Sequence, residues 1–203
     1  MNYLAILAVY IIGSIPFGYI MTRLLKKVDI RAYGSGNIGA TNVLRVLGWP
    51  AALFVFFLDG AKGVAAVLLA GYLSDLTAVR LAAGLAVLLG HSFPVFLRFK
   101  GGKGAATGIG VLFALGGWVA PVVLLFAGAI IAATRYVSLG SILGALSLPL
   151  LFWLFGFEAA YIYFGAFAAL LVILRHHANI GRLIRGTETK LGQKINPAGE
   201  GKS

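Results

Sequence analysis

The chain has 203 residues, of which 60% are hydrophobic and only 11% charged, and its mean hydropathy is +0.95. Soluble domains have about a quarter of their residues charged, so a soluble domain is excluded and a multi-span membrane protein remains. The net charge of +11 then points to topology and anionic ligands rather than nucleic acid, and the absence of cysteine excludes disulfides, thiolate metal sites and a cysteine nucleophile.

The first apolar segment, Tyr3 to Leu25, is interrupted by Gly13, Pro16 and Gly18 and is expected to kink. It has no basic leader or convincing cleavage site and further spans follow, so it reads as a span, not a signal peptide. Arg23, Lys26, Lys27 and Arg31 lead into Gly34–Arg45, GSGNIGATNVLR, which has no acidic residue. Its glycines let the backbone turn N–H groups toward one point, an arrangement that binds anions. Ser35, Asn37, Thr41 and Asn42 add hydroxyls and amides, and Arg45 adds a fork suited to phosphate. The plainer reading is a flexible loop between two helices.

The second span, Trp49 to Leu73, contains Asp59 and Lys62, three residues apart on one helical face. Charges inside a span are costly unless paired, so the two read as a functional or structural ion pair. The third, Val79 to Leu97, ends with His91 and Pro94 and is followed by KGGKG, Lys100 to Gly104. Gly102, Lys103 and Gly104 form a second phosphate-binding candidate, although lysines at a membrane edge also snorkel or set topology. A fourth segment, Ala105 to Leu115, is short, and is therefore tilted, incomplete or continuous with the polar loop. Gly116 and Gly117 separate it from the fifth, Trp118 to Thr134. The sixth, Leu139 to Phe155, opens beside Ser138 and Ser141, and the seventh runs from Ala159 to Leu174.

RHHANIGRL begins at Arg175. His177 is the preferred general base or phosphate ligand in it, with Asn179 orienting a shared ligand, and the alternative is a pair of interfacial histidines ending a helix. The membrane domain is expected to end at residue 193, followed by a disordered polar tail, 194–203. There is no internal repeat.

Seven spans place every Lys and Arg except Lys62 and Arg80 on one side, which the positive-inside rule makes cytoplasmic, with the N-terminus outside. The glycine-rich loops, both serines and RHHANIGRL fall on that same side. The expected architecture is therefore an all-α polytopic membrane protein, with seven transmembrane helices and cytoplasmic glycine-rich loops forming one pocket almost free of carboxylates. Such a pocket suits phosphate at a bilayer surface.

Several chemistries are missing. The chain has no Gly-x-Ser-x-Gly elbow, no His-Glu-x-x-His and no histidine followed five residues later by aspartate. Acyl transfer would have to rely on positioning and electrostatic stabilisation with an activated donor. The rival of another class is a transporter of organic phosphates, but alternating access is usually built on repeats around a midplane site.

GSGNIGATNVLR, the DGAKG of Asp59 to Gly63, GHSFPVFLRFKGGKG from Gly90 to Gly104, and RHHANIGRL together resemble the bacterial acyl-phosphate:glycerol-3-phosphate acyltransferases, the PlsY family. The resemblance runs from the first span to about Gly192. It implies transfer of a fatty acyl group from acyl phosphate to the sn-1 hydroxyl of glycerol 3-phosphate, giving lysophosphatidic acid and phosphate, the first acylation of bacterial phospholipid synthesis. It implies a bacterial inner-membrane enzyme with no cofactor or metal, working among membrane lipids, with the enzyme that makes its acyl-phosphate donor as a candidate partner. It further implies that Ser35, Arg45 and Lys103 hold glycerol 3-phosphate, while Asn37, Thr41, Asn42, Ser141, His177 and Asn179 surround the acyl phosphate and its developing oxyanion. The proton acceptor is expected to be a donor phosphate oxygen, with His177 as the alternative. A phosphatase acting on acyl phosphate would differ in forming product without glycerol 3-phosphate.

Overall fold

A computed structural model describes residues 3–193; the tail expected at 194–203 lies outside them. Among the described residues all regular structure is helical. Apolar runs in lipid must satisfy their backbone internally, and helices do so within one segment.

The first span is two helices, α1 (Tyr3–Ser14) and α2 (Phe17–Lys26), broken at Pro16. Proline lacks the N–H and disfavours a helical conformation at the residue before it. A 3-10 turn, Ile30–Ala32, begins the first glycine-rich loop, with Asp29 capping it and pairing with Arg31 at 2.7 Å. Next come α3 (Ala40–Leu47), α4 (Trp49–Leu73) and α5 (Thr77–Ser92). A second 3-10 turn, Val95–Leu97, completes the third apolar segment and leads into KGGKG. Then follow α6 (Ala105–Leu115) and α7 (Val119–Thr134). The sixth segment is α8 (Val137–Leu146) and α9 (Leu148–Leu154), bent by 42° where Pro149 restarts the helix. The seventh is α10 (Ala159–Arg175), which turns by 65° into α11 (His177–Ile184).

Three helical stretches are long and apolar enough to cross a membrane: Leu4–Lys26, Trp49–Leu73 and Thr77–Leu97. Counting each bent pair as one span raises the number to five. The 11 residues of α6 reach only about 16 Å, roughly half the hydrocarbon thickness.

α6 lies against α4 through small residues. A Cβ on Gly110 would run into the Gly60 carbonyl, and one on Gly63 into the Thr107 carbonyl. This close approach is how helices associate where lipid offers no hydrophobic drive. The main core joins Val67 and Ala70 of α4, Val87 of α5, Val111 of α6, Val123 of α7 and Phe164 of α10. Outward positions such as Phe57, Leu125 and Trp153 are exposed, as lipid-facing residues are.

Candidate active site

A cavity of ≈ 280 Å³ opens between the two glycine-rich loops and continues between α6, α7, α8 and α10. Its polar end is lined by Ser35, Asn37, Thr41, Asn42, Arg45, Lys103, Gly104, Ser138, Ser141, His176, Asn179 and Glu188. Its apolar end is lined by Leu112, Leu124, Ile131, Leu148, Phe164 and Val172 among others. One space thus has a charged head and a greasy limb.

The first loop is shaped by one of its own side chains. Asn42 is 1% exposed; its Oδ1 accepts from the Ser35 N–H at 2.9 Å, and its Nδ2 donates to the carbonyls of Asn37 at 2.8 Å, Tyr33 at 2.9 Å and Ile30 at 3.3 Å. An amide offers two hydrogens, so nothing remains to donate to a ligand. Asn42, expected among the acyl-phosphate ligands, instead holds the loop in shape. Asn37 accepts from the Gly39 N–H through Oδ1, and among the described residues its Nδ2 has no partner. Among the described residues, the side chains of Ser35, Thr41 and Arg45 face the cavity with no protein partner.

The second loop brings Lys103 to the same space, where its Nζ donates to Asn179 Oδ1 at 2.5 Å. Asn179 Nδ2 donates in turn to Glu188 Oε1 at 2.6 Å, which also accepts from Ser138 at 2.7 Å, while Arg182 holds Oε2 at 2.7 Å. An ammonium only donates and a carboxylate only accepts, so the Asn179 amide has one permitted orientation. Burial lowers the Lys103 pKa to about 8; Glu188 pulls it up, while Arg182, Arg45 and Arg175 push it down. Burial likewise lowers that of Arg45. A bound anion would relieve the repulsion among these cations. Burial raises the Glu188 pKa, but the hydrogen bonds from Asn179, Ser138 and Arg182 prevail and hold it below the usual carboxylate range.

Three further expectations are corrected. His177 is exposed and outside the cavity, whereas its neighbour His176 is 3% exposed and lines it. Successive helical residues point about 100° apart, so only one of the pair can face inward. His176 Nδ1 lies 2.8 Å from the Val172 carbonyl and must carry the hydrogen, which leaves Nε2 of the neutral ring as the lone-pair nitrogen. Gly102 is buried beneath the His91 imidazole and does not line the cavity. The pocket is also not nearly free of carboxylates. Glu188 and Asp59 both line it, and Asp59 sits 2.8 Å from Lys62 Nζ beside His91. Ser141 lines the cavity and spends its hydrogen on the Val137 carbonyl at 3.0 Å.

Glu188 lies in a stretch that reads as a basic tail. It is brought in because that tail runs back along the α7–α8 turn, where Leu191 N–H donates to Arg135 O and Arg135 Nη2 to Leu191 O, both at 2.7 Å. The only local signal was a lone acid among basic residues.

Residues 3–186 match the family model described as Glycerol-3-phosphate acyltransferase. The chain belongs to that family. Its relatives include the glycerol-3-phosphate acyltransferase of Desulforamulus reducens, 49% identical over 193 residues, with 93% of this chain and 94% of the relative covered. The enzyme of the same name from Thermoanaerobacter pseudethanolicus is 49% identical over 185 residues, covering 91% and 93%. The fold matches the crystal structure of PlsY (YgiH), an integral membrane glycerol 3-phosphate acyltransferase, in its glycerol 3-phosphate form. The TM-score is 0.89 at 42% identity, over 93% of this chain and 94% of the other. The lysophosphatidic acid form of PlsY matches with a TM-score of 0.86 at 40% identity, over the same shares of both chains.

Proposed function

We propose that this protein transfers a fatty acyl group from acyl phosphate to the sn-1 hydroxyl of glycerol 3-phosphate, releasing lysophosphatidic acid and inorganic phosphate. The observation that carries the reading is the single cavity with a cationic head and an apolar limb. Relatives named as glycerol-3-phosphate acyltransferases support the acceptor. The acyl-phosphate donor rests on the resemblance carried by GSGNIGATNVLR, GHSFPVFLRFKGGKG and RHHANIGRL.

In this reading Ser35, Arg45 and Lys103 hold the phosphate of glycerol 3-phosphate. Asn37, Thr41, Ser141, His176 and Asn179 surround the acyl phosphate, whose chain lies in the apolar limb. Donors fixed before the reaction stabilise the charge that grows on the carbonyl oxygen, and joint binding supplies proximity. The sn-1 oxygen forms the new bond to the acyl carbon, and the bond from that carbon to the phosphate oxygen breaks. The proton passes to the departing phosphate. Both carboxylates lining the cavity are occupied, Glu188 by three donors and Asp59 by Lys62, which favours this substrate-assisted route over a carboxylate base and leaves His176 Nε2 as the alternative acceptor.

Seven passages of residues 1–193 through the bacterial inner membrane, with the N-terminus outside and the cavity facing the cytoplasm, fit the distribution of Lys and Arg. The short α6 and the bent pairs would be the incomplete and broken passages. No cofactor enters the scheme, and the upstream partner would be an enzyme that makes acyl phosphate.

The test is to incubate the purified protein in detergent with labelled glycerol 3-phosphate and either palmitoyl phosphate or palmitoyl-CoA. Lysophosphatidic acid is expected with the phosphate donor alone. Product only with the thioester would refute the donor assignment; no product in either tube would favour transport. Phosphate release independent of glycerol 3-phosphate would indicate a phosphatase.

A further inference from the structure

Lys103 sits on a five-residue loop, KGGKG, whose three glycines provide no side chains to hold it. Every extra glycine adds conformational freedom that must be lost when the loop is ordered. The restraint therefore comes from outside. On one side, the Gly102 N–H donates to the His91 carbonyl at 3.0 Å, at the end of α5. On the other stands Arg175, the last residue of α10. Its Nε donates to the Gly102 carbonyl at 3.0 Å and its Nη2 to the Gly101 carbonyl at 2.9 Å. The guanidinium itself lies over the Phe93 ring, 5.0 Å from its centroid.

Arg175 is outside the cavity lining. Both of its bonds run to two consecutive carbonyls directly before Lys103. We propose that Arg175 is the positioning residue of the phosphate-binding loop: its planar fork fixes the Gly101–Gly102 backbone and so places Lys103 Nζ. The inference rests on the reading of Lys103 as a glycerol 3-phosphate ligand. Phe93 completes the arrangement by holding the guanidinium plane, as aromatic faces hold cations.

Two features make arginine the residue for this task. A rigid fork meets two adjacent carbonyls in one fixed geometry, whereas the lysine ammonium is a flexible point donor. The chain also carries Asn179 four residues further on, in α11, and Asn179 takes the Lys103 ammonium itself. The same turn of chain therefore holds the backbone of the loop and the tip of its lysine. A contact present in both the bound and the reacting complex acts on KM more than on kcat. Displacing Lys103 should accordingly appear in the KM for glycerol 3-phosphate and leave that for acyl phosphate alone.

The experiment measures both KM values in wild-type protein, Arg175→Lys and Phe93→Leu, with thermal unfolding followed in parallel. Wild-type turnover comes first, because its absence would fail the proposed reaction and not the clamp. Arg175→Lys keeps the charge and loses the fork, so the KM for glycerol 3-phosphate should rise about tenfold, within the cost of a small misplacement. Phe93→Leu should give the same split, smaller, and it decides the matter if Arg175→Lys does not fold. Wild-type constants in Arg175→Lys would mean that positive charge suffices and would overturn the proposal. An equal rise in both KM values, or an unchanged KM in Phe93→Leu when it is the deciding variant, would overturn it as well.

Discussion

The two glycine-rich loops that bring cations to the cavity are held in opposite ways. Gly34–Arg45 folds around Asn42, a residue of its own, which is bonded to four backbone groups between Ile30 and Asn37. Lys100–Gly104 has no such internal staple and is gripped by His91 of α5 and Arg175 of α10. The first is a local structure that α3 completes; the second exists only where distant helices meet. Loss of the Asn42 side chain should therefore unfold the first loop, whereas the second can be disturbed from remote positions without loss of the fold.

The largest effect should come from Asn42→Asp. The carboxylate still accepts from Ser35 N–H but turns an acceptor toward three carbonyls, that of Ile30 buried and those of Tyr33 and Asn37 partly so, each lost bond costing about 1–3 kcal/mol. Thermal unfolding should show a clearly lowered transition together with loss of activity. A variant as stable as wild type would break the contrast between the loops.

Lys103→Ala comes next. Loss of a charge-assisted bond to phosphate, about 1.5–3 kcal/mol, should reduce kcat/KM for glycerol 3-phosphate by about 10- to 100-fold while the melting temperature stays near wild type. Unchanged kcat/KM at subsaturating glycerol 3-phosphate would remove Lys103 from the phosphate site.

The third prediction concerns pH. Lys103 has its pKa lowered to about 8, so in the free enzyme its charge is present below that pH and lost above it. As pH rises through about 8, kcat/KM for glycerol 3-phosphate should fall by up to about tenfold per unit, since this parameter reports the free enzyme. Lys103→Arg stays protonated to beyond about pH 12 and should abolish that descending limb. A limb that persists in Lys103→Arg would assign the titration to another group.

The smallest effect should be that of His177→Ala, within about twofold as for an exposed position, against a marked loss for His176→Ala. Equal losses would restore His177 to the site.

The same contrast explains what was legible in the sequence. Span two, Trp49–Leu73, and the segment Ala105–Leu115 coincide with helices because apolar length alone defines them. Asn37, Thr41 and Arg45 were found because nest, hydroxyl and arginine lie together in one short stretch. The kink at Pro16 is equally local, but the break at Ser147 has no such signal because Pro149 lies inside a continuous apolar run. His176 and His177 could not be separated, since choosing between neighbours depends on helical phase at the α10–α11 turn. Glu188 and Arg175 were beyond reach for a different reason. Besides its near donors Asn179 and Arg182, Glu188 meets Ser138, 50 residues away, and Arg175 meets Gly102, 73 residues away, and nothing in the local pattern encodes those long-range meetings.

The central claim is that the two loops jointly hold one phosphate, Arg45 from the first and Lys103 from the second. Equilibrium titration of glycerol 3-phosphate, without donor, into wild-type protein, Arg45→Ala, Lys103→Ala and the double variant tests it most directly. Saturable binding by the wild type, weakened in each single variant and lost in a folded double variant, is the predicted result. Wild-type affinity in the folded double variant would contradict the account.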